Sequence, residues 1–513
     1  MSSTSTPPSS TDILVIGGGP AGSYTAAALA REGFQVTLLE RENFPRYHIG
    51  ETMLPSMRSF LRFIDADDKV KNFGFAEKVG AALKLNQHKR EGYTDFLPRG
   101  GQTFSVTRAD FDDILLKHAV ESGASVHEGV RVTEIKFSTE NPEKPTSAEW
   151  QSDQGTGEIK FSWLVDASGR NGIMSTRYLK NRKFSENPAL KNIATWSYWE
   201  GAGMYAPGTD RENAPWFEAL TDETGWAWFI PLHNNITSVG VVISEVSSRV
   251  KKPQSTDAKA HYLSQLQLTP GLLELLGDAR MVGDVKSGSD YSYRAGDDKY
   301  AGPNYRIVGD AGAFIDPLFS SGCHLAFTNA TTAAATISAS IRGHCTEEEV
   351  IQFHSKKGAV SYTRFLMVCL SVYKQIHAQE SPVISDINED NFDRAFEFIK
   401  PVIQGTADVE KVSESVLQST LDFCSDTLAP LNPEMYERVA KRYPGLMALN
   451  GPPLEPQALA DIIGDDEEAK EVMKEINAKK TLNKMYRDDH FGESLNGFSV
   501  VLKQGSLSLQ RAN

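Results

Sequence analysis

The stretch Asp12–Glu40 constrains the chain more than any other. Ile13-Leu14-Val15-Ile16 is a continuous branched apolar run, the pattern of a strand buried on both faces of a parallel sheet. It enters Gly17-Gly18-Gly19-Pro20-Ala21-Gly22, and an alanine-rich helical stretch follows to Ala30. Gly33 closes that helix, and Gln35–Glu40 forms the next strand. Gly17, Gly19 and Gly22 make G-x-G-x-x-G, with Ala21 inside the turn. The first glycine permits the tight turn, and the second lets a pyrophosphate approach the backbone. The third lets helix and strand pack closely, with the helix N-terminus facing the phosphates. Glu40 follows Gly22 by 18 residues, where a carboxylate accepts hydrogen bonds from ribose hydroxyls. The unit predicts a dinucleotide site.

The 513 residues carry 53 Lys plus Arg and 67 Asp plus Glu, a net charge of −14. An acidic balance argues against nucleic acid or an anionic membrane as partner, since phosphate backbones call for a basic excess. Cys323, Cys345, Cys369 and Cys424 are widely spaced without a CxxC, so free thiols are expected and no metal. Residues 1–11 read as a disordered tail, and no run reaches the roughly 18–20 apolar residues of a membrane span. A soluble cytoplasmic protein is expected.

The pattern predicts an α/β fold: a Rossmann-like parallel sheet, a second antiparallel sheet on the substrate side and a mainly helical C-terminal extension. The division is 12–345 for the two interleaved sheets and 346–513 for the extension. Strands are expected within 82–106, at Val126–Ile135 and Phe161–Asp166 flanking a polar loop Thr139–Gly157, and between Trp196 and Val242. Helices are expected at Phe111–Ser122, from about Leu325, at Glu389–Phe398 and at Asp465–Lys480.

Two distant segments specify the nucleotide. Tyr305–Gly312 is a strand ending in Gly309-Asp310, and Leu164–Arg170 is a third strand end, Asp166-Ala167-Ser168-Gly169. With the glycine turn, and in this order, they resemble the flavoprotein family of aromatic hydroxylases, which binds FAD. The resemblance implies that Asp310 holds the ribityl hydroxyls and that Arg108, in Thr107-Arg108-Ala109-Asp110, contacts the flavin. An NAD enzyme would show none of these three features.

Four further segments resemble the flavin-dependent halogenases. They are Pro45-Arg46-Tyr47-His48-Ile49-Gly50-Glu51-Thr52, with threonine where serine is commoner, and Lys78-Val79-Gly80-Ala81. The others are Gly225-Trp226-Ala227-Trp228-Phe229-Ile230-Pro231 and Phe314-Ile315-Asp316-Pro317-Leu318-Phe319-Ser320-Ser321-Gly322. Leu83 stands where that family usually has Phe. The resemblance covers residues 12 to about 345, and is strongest to the fungal phenol halogenases that chlorinate orsellinate-type polyketides such as the melleolides.

The resemblance implies that reduced FAD, supplied by a separate NAD(P)H-dependent reductase, reacts with oxygen to a hydroperoxide. Chloride attack then yields hypochlorous acid, which Lys78 relays to an electron-rich phenol. Arg46 joins the cofactor residues. Ser320, Ser321 and Gly322, entering a helix, are the implied chloride site. Trp226 and Trp228, two apart on a strand, should face the same way; taken alone they read as core packing, and the resemblance implies that they wall the flavin from the substrate. Taken alone, Lys78 beside Glu77 reads as a solvated surface lysine, and His48 as cavity lining or core. An aromatic hydroxylase that reduces its own flavin, or a non-catalytic flavin-binding protein, remains the competing reading. Acidic residues such as Asp461 and Asp465 give no choice of a substrate-activating base.

Overall fold

The computed structural model describes residues 6–88, 90–95, 103–379, 433–447, 454, 456–470, 472, 473, 476 and 494–512. Glu389–Phe398 and Cys424 lie outside them. The buried run forms strand Ser10–Ile16, at the centre of a parallel sheet. Val36–Leu39 flanks it on one side and Gly155–Asp166 on the other, with Ser125–His127 and Tyr305–Ile307 beyond. The strand begins within the stretch expected as tail. Ser10 and Thr11 pair with Lys160 and Phe161, and the Thr11 hydroxyl donates to the Gln35 carbonyl at 3.0 Å.

Register aligns Ile16 with Leu39 and with Asp166, and Asp166 with Ile307. The residues after these four positions therefore share the carboxyl edge of the sheet, where ligands of open α/β sheets bind. Helices Pro20–Arg31, Arg108–Glu121 and Gly322–Ile341 pack their alanines and leucines against the sheet in one core.

The second sheet is mainly antiparallel, and Lys191–Glu200, Ile236–Ser244, Gly225–Pro231 and Trp216–Ala219 are consecutive neighbours in it. Gly80–Lys84 extends it in parallel with Trp216–Ala219. Its two faces feed different cores. Trp226, Trp228 and Ile230 enter one, and Ala227 and Phe229 enter the other.

Three expectations change. The stretch Thr139–Gly157 is not a loop, because Pro145–Ser152 forms a strand pairing with both Arg131–Phe137 and Gly155–Asp166. Ala148 and Trp150 alternate inward there, a short period-2 signal among polar neighbours. The helices expected at Phe111 and Leu325 begin earlier, at Arg108 and Gly322. The chain also ends in a hairpin, Phe498–Val501 with Ser508–Arg511. Its Phe498, Leu507 and Leu509 join the first core, and Arg342 ties it down through the Leu507 carbonyl at 2.8 Å and Glu32 at 2.7 Å. The described part of Asp465–Lys480 is helical from Glu467 onward.

At Gly17 the backbone takes φ +106°, and a Cβ there would lie 2.3 Å from the Ala167 carbonyl oxygen. A Cβ on Gly22 would lie 1.9 Å from the Gly17 carbonyl oxygen. Helix propensity alone would make Gly22→Ala stabilising by about 1 kcal/mol. The steric contact reverses the sign, and we expect a net loss of roughly 1–3 kcal/mol, measured by denaturant unfolding of the FAD-free protein.

Candidate active site

The glycine turn, the strand ends and the second sheet enclose one cavity of about 670 Å³, within the range of cofactor pockets. Gly17, Gly19, Ala21, Glu40, Arg46, Arg108 and Asp310 line it. Gly22 does not, and acts through helix packing. Helix Pro20–Arg31 opens at the cavity with Gly19 as N-cap and no side-chain cap, so its first amides remain for a ligand. The space a Gly19 Cβ would fill meets only Arg46, at 3.6 Å. The Glu40 carboxylate is held by the Gly18 amide at 2.5 Å and the Glu42 amide at 2.8 Å. This fixes it at the end of its strand. The donor set fits FAD: amides for phosphate and carboxylates for sugar hydroxyls, around one cavity.

Sequence reasoning missed the residue that organises the two arginines. Asp112, fully buried one helical turn beyond Arg108, accepts from Arg108 Nε at 2.8 Å and Nη2 at 3.0 Å, and from Arg46 Nη1 at 2.8 Å. Burial opposes charge on both Asp112 and Arg108. Their pairing outweighs it, holding the carboxyl below and the guanidinium above their ordinary ranges. Arg108 Nη1 also donates to the Ile49 carbonyl at 3.0 Å, fixing the Pro45–Pro55 segment over the cavity. His48 lines the cavity, and the Arg108 charge, with burial, lowers it to about 4. It is neutral at physiological pH.

Ser320 and Gly322 line the cavity, while the hydroxyl of Ser321 is buried without a hydrogen-bond partner. Ser320 adopts φ +56° and bonds the Thr52 hydroxyl. The threonine that departs from the commoner serine thus keeps the hydroxyl this contact uses. Ser321 is the N-cap of the 20-residue helix Gly322–Ile341 and makes no side-chain cap, so the first-turn amides there are available to an anion.

Trp226 and Trp228 both line the cavity, their ring centroids 5.9 Å apart, as alternation on a strand requires. Trp228 Nε1 donates to Ser238 at 3.1 Å. Trp226 Nε1 donates to the Tyr373 hydroxyl at 2.8 Å, which donates to buried Asp316 at 2.7 Å. Asn192 donates to Asp316 at 3.0 Å. Tyr373 and Asn192 carried no sequence signal, because their partners lie more than 50 residues away.

Lys78 is not a surface lysine. It is 1% exposed, on strand Ala76–Lys78, and its Nζ donates to the Met53 carbonyl at 3.1 Å. Burial lowers it to about 7. Among the described residues lining the cavity Lys78 is not one, but Thr52, next to Met53, is. Asp461 and Asp465 are exposed.

Comparison with known proteins agrees with this geometry. The FAD binding domain family matches residues 10–363. The flavin-dependent halogenase armH1 of Armillaria mellea is 56% identical over 520 residues, covering 98% of this chain and 99% of that protein. The flavin-dependent halogenase ascD of Acremonium egyptiacum is 48% identical, covering 98% and 93%. Among solved structures, the flavin-dependent halogenase CmlS superposes with TM-score 0.66 at 27% identity over 81% of this chain and 77% of its own. The myxobacterial chondrochloren halogenase CndH gives 0.65 at 27% over 83% and 98%. An FAD cradle joined to a tryptophan-walled second sheet, in a chain this similar over its whole length, makes the protein a member of the flavin-dependent halogenases, FAD enzymes that use halide as a substrate.

Proposed function

We propose that the enzyme chlorinates an electron-rich phenolic ring of the orsellinate type, free or esterified, with hypochlorous acid relayed by Lys78. The observation that carries this is the buried Lys78 amine, brought near neutrality one residue behind the cavity wall. Bound FAD, reduced by a separate reductase, supplies electrons to oxygen and so the oxidant. The chain's residues do the rest. The amides of the Pro20 helix and Arg46 neutralise the pyrophosphate, Glu40 and Asp310 hold sugar and ribityl hydroxyls, and Arg108 steadies the ring. Ser320 and the amides entering the Gly322 helix hold chloride. Trp226 and Trp228 keep the phenol off the flavin, and the region beyond residue 346 shapes the phenol side. A lysine at about 7 is partly free amine at neutral pH, so it can donate a hydrogen bond to the oxidant or capture it.

Enzyme, FAD, a flavin reductase, NADPH, oxygen, chloride and an orsellinate ester should give a monochlorinated product with the two-isotope chlorine pattern by mass spectrometry. A hydroxylated product formed without added reductase would instead establish the hydroxylase reading. Lys78→Met should retain FAD binding and lower chlorination by roughly a hundredfold or more; normal turnover in that variant would remove Lys78 from the mechanism. The pH dependence has a definite sign. Below about 7 the ammonium form dominates, so chlorination should fall about tenfold per pH unit toward acid, and this acid limb should vanish in the residual activity of Lys78→Met.

A further inference from the structure

The reaction consumes a proton, and the cavity has to obtain it. Reduced FAD, oxygen, chloride and one proton give oxidised FAD, hypochlorous acid and water. Oxygen takes four electrons, two from reduced FAD and two from chloride. The O–O bond breaks, an O–Cl bond forms, and the consumed proton ends on the oxygen that leaves as water. The second step, hypochlorous acid plus an aryl C–H giving aryl chloride and water, consumes none. Arg108 and Asp112 are locked to each other, so a separate group must carry protons inward.

We propose that Glu51, Tyr198 and Tyr47 form a proton relay that carries this proton from solvent to the flavin cavity. Glu51 lines the cavity and is 4% exposed. Its Oε1 accepts from the Tyr198 hydroxyl at 2.8 Å, and the Tyr198 hydroxyl lies 3.0 Å from that of Tyr47. Trp196 Nε1, which can only donate, gives its hydrogen to the Tyr47 oxygen at 2.7 Å. When Glu51 is ionised the Tyr198 proton goes to it, so the Tyr198 oxygen is left to accept and the Tyr47 proton is directed to Tyr198. Every donor points inward. Tyr47 is 50% exposed and itself lines the cavity, so the relay runs along the cavity wall from a half-exposed ring to buried Glu51, with the Lys286 ammonium 4.7 Å from the Tyr47 ring.

The groups facing Glu51 come from three elements besides its own loop: Tyr198 from Lys191–Glu200, Ser238 from Ile236–Ser244 and Arg108 from its helix. Burial raises the Glu51 carboxyl to about 7 against the opposing pull of all three. It can therefore hold and give a proton at working pH. His48, at about 4, and Cys323, pushed by burial to about 11, are placed too low and too high to do so. Tyr198 is raised further still by burial and by Glu51, so it passes a proton without losing one to solvent.

The role in turnover rests on the hypochlorous acid reading above, but the titration does not. Infrared difference spectra across pH, on the FAD-free and FAD-loaded protein, should show a carboxylic acid band titrating near 7 that Glu51→Gln removes. In turnover, Glu51→Gln should lose the alkaline limb of the pH profile and fall on the order of a hundredfold. Tyr198→Phe leaves Glu51 in place and breaks the relay. It should keep FAD binding, slow chlorination about tenfold and enlarge the solvent deuterium isotope effect. It also decides the matter if Glu51→Gln does not fold. A near-neutral band that persists in Glu51→Gln overturns the proposal. So do an unchanged rate and isotope effect in Tyr198→Phe. Failure of the wild type to chlorinate any phenol would count against the phenol reading, and would leave the infrared band as the test of Glu51.

Discussion

The close approach of Gly17 to Ala167 sets the site. Two strand ends meet there with no room for a side chain, and Gly22 then lies on the Gly17 carbonyl. The helix starting at Pro20 can approach the sheet edge only because both contacts are backbone against backbone. Parallel register does the rest. Since Ile16, Leu39, Asp166 and Ile307 are level, Gly17, Glu40, Ala167 and Val308 emerge at one height around the helix N-terminus. Asp310, two residues beyond Val308, lies in the same cavity wall. A slip of one strand would flip its side chains and move its end residue off this edge.

Once the edge is built, the chemistry is governed by burial of charge. Several ionisable groups sit in or beside the cavity, and their fates differ with their partners. Arg108 has a paired carboxylate and stays charged, and its charge then drives His48 toward the neutral form. Lys78 and Glu51 are shifted chiefly by burial, in opposite chemical senses, and both arrive near 7. Desolvation disfavours the charged form of each, whichever sign it carries. Burial thus places a free amine and a protonated carboxyl on the same scale of pH.

Much of this was legible in the sequence where the signal is local. The glycine turn requires its spacing within one βαβ unit, and the alternation of Trp226 and Trp228 is fixed by the strand's period of two. Lys78 was not legible from chemistry alone, since Ala76-Glu77-Lys78 reads as polar surface. Only the resemblance singled it out, and its burial comes from a ribbon paired with Thr103–Ser105. Asp112 lay hidden as one of many helix acids, because its importance depends on Arg46, which is 66 residues away. The Pro145–Ser152 strand was lost to its polar content. The C-terminal hairpin was lost because two four-residue strands carry too short a pattern to stand out.

The net charge of −14 describes a surface, while the cavity concentrates the opposite sign. Arg46, Arg108, Arg170 and two uncapped helix N-termini face a volume that must hold a dinucleotide and a halide. Of the acids in or beside it, Asp112 is neutralised by arginine, Glu51 and Asp310 are pushed toward the protonated form by burial, and Glu40 is held by two backbone amides. The tryptophan wall completes this arrangement. Its anchor, Trp226 to Tyr373 to Asp316, ties the second sheet to helix Glu347–Ile376 through a buried carboxylate that also accepts from Asn192. A buried acid with three or more donors resists rearrangement, because any one lost partner leaves a desolvated oxygen. The tryptophan wall of the cavity is therefore held by polar bonds as well as by apolar packing.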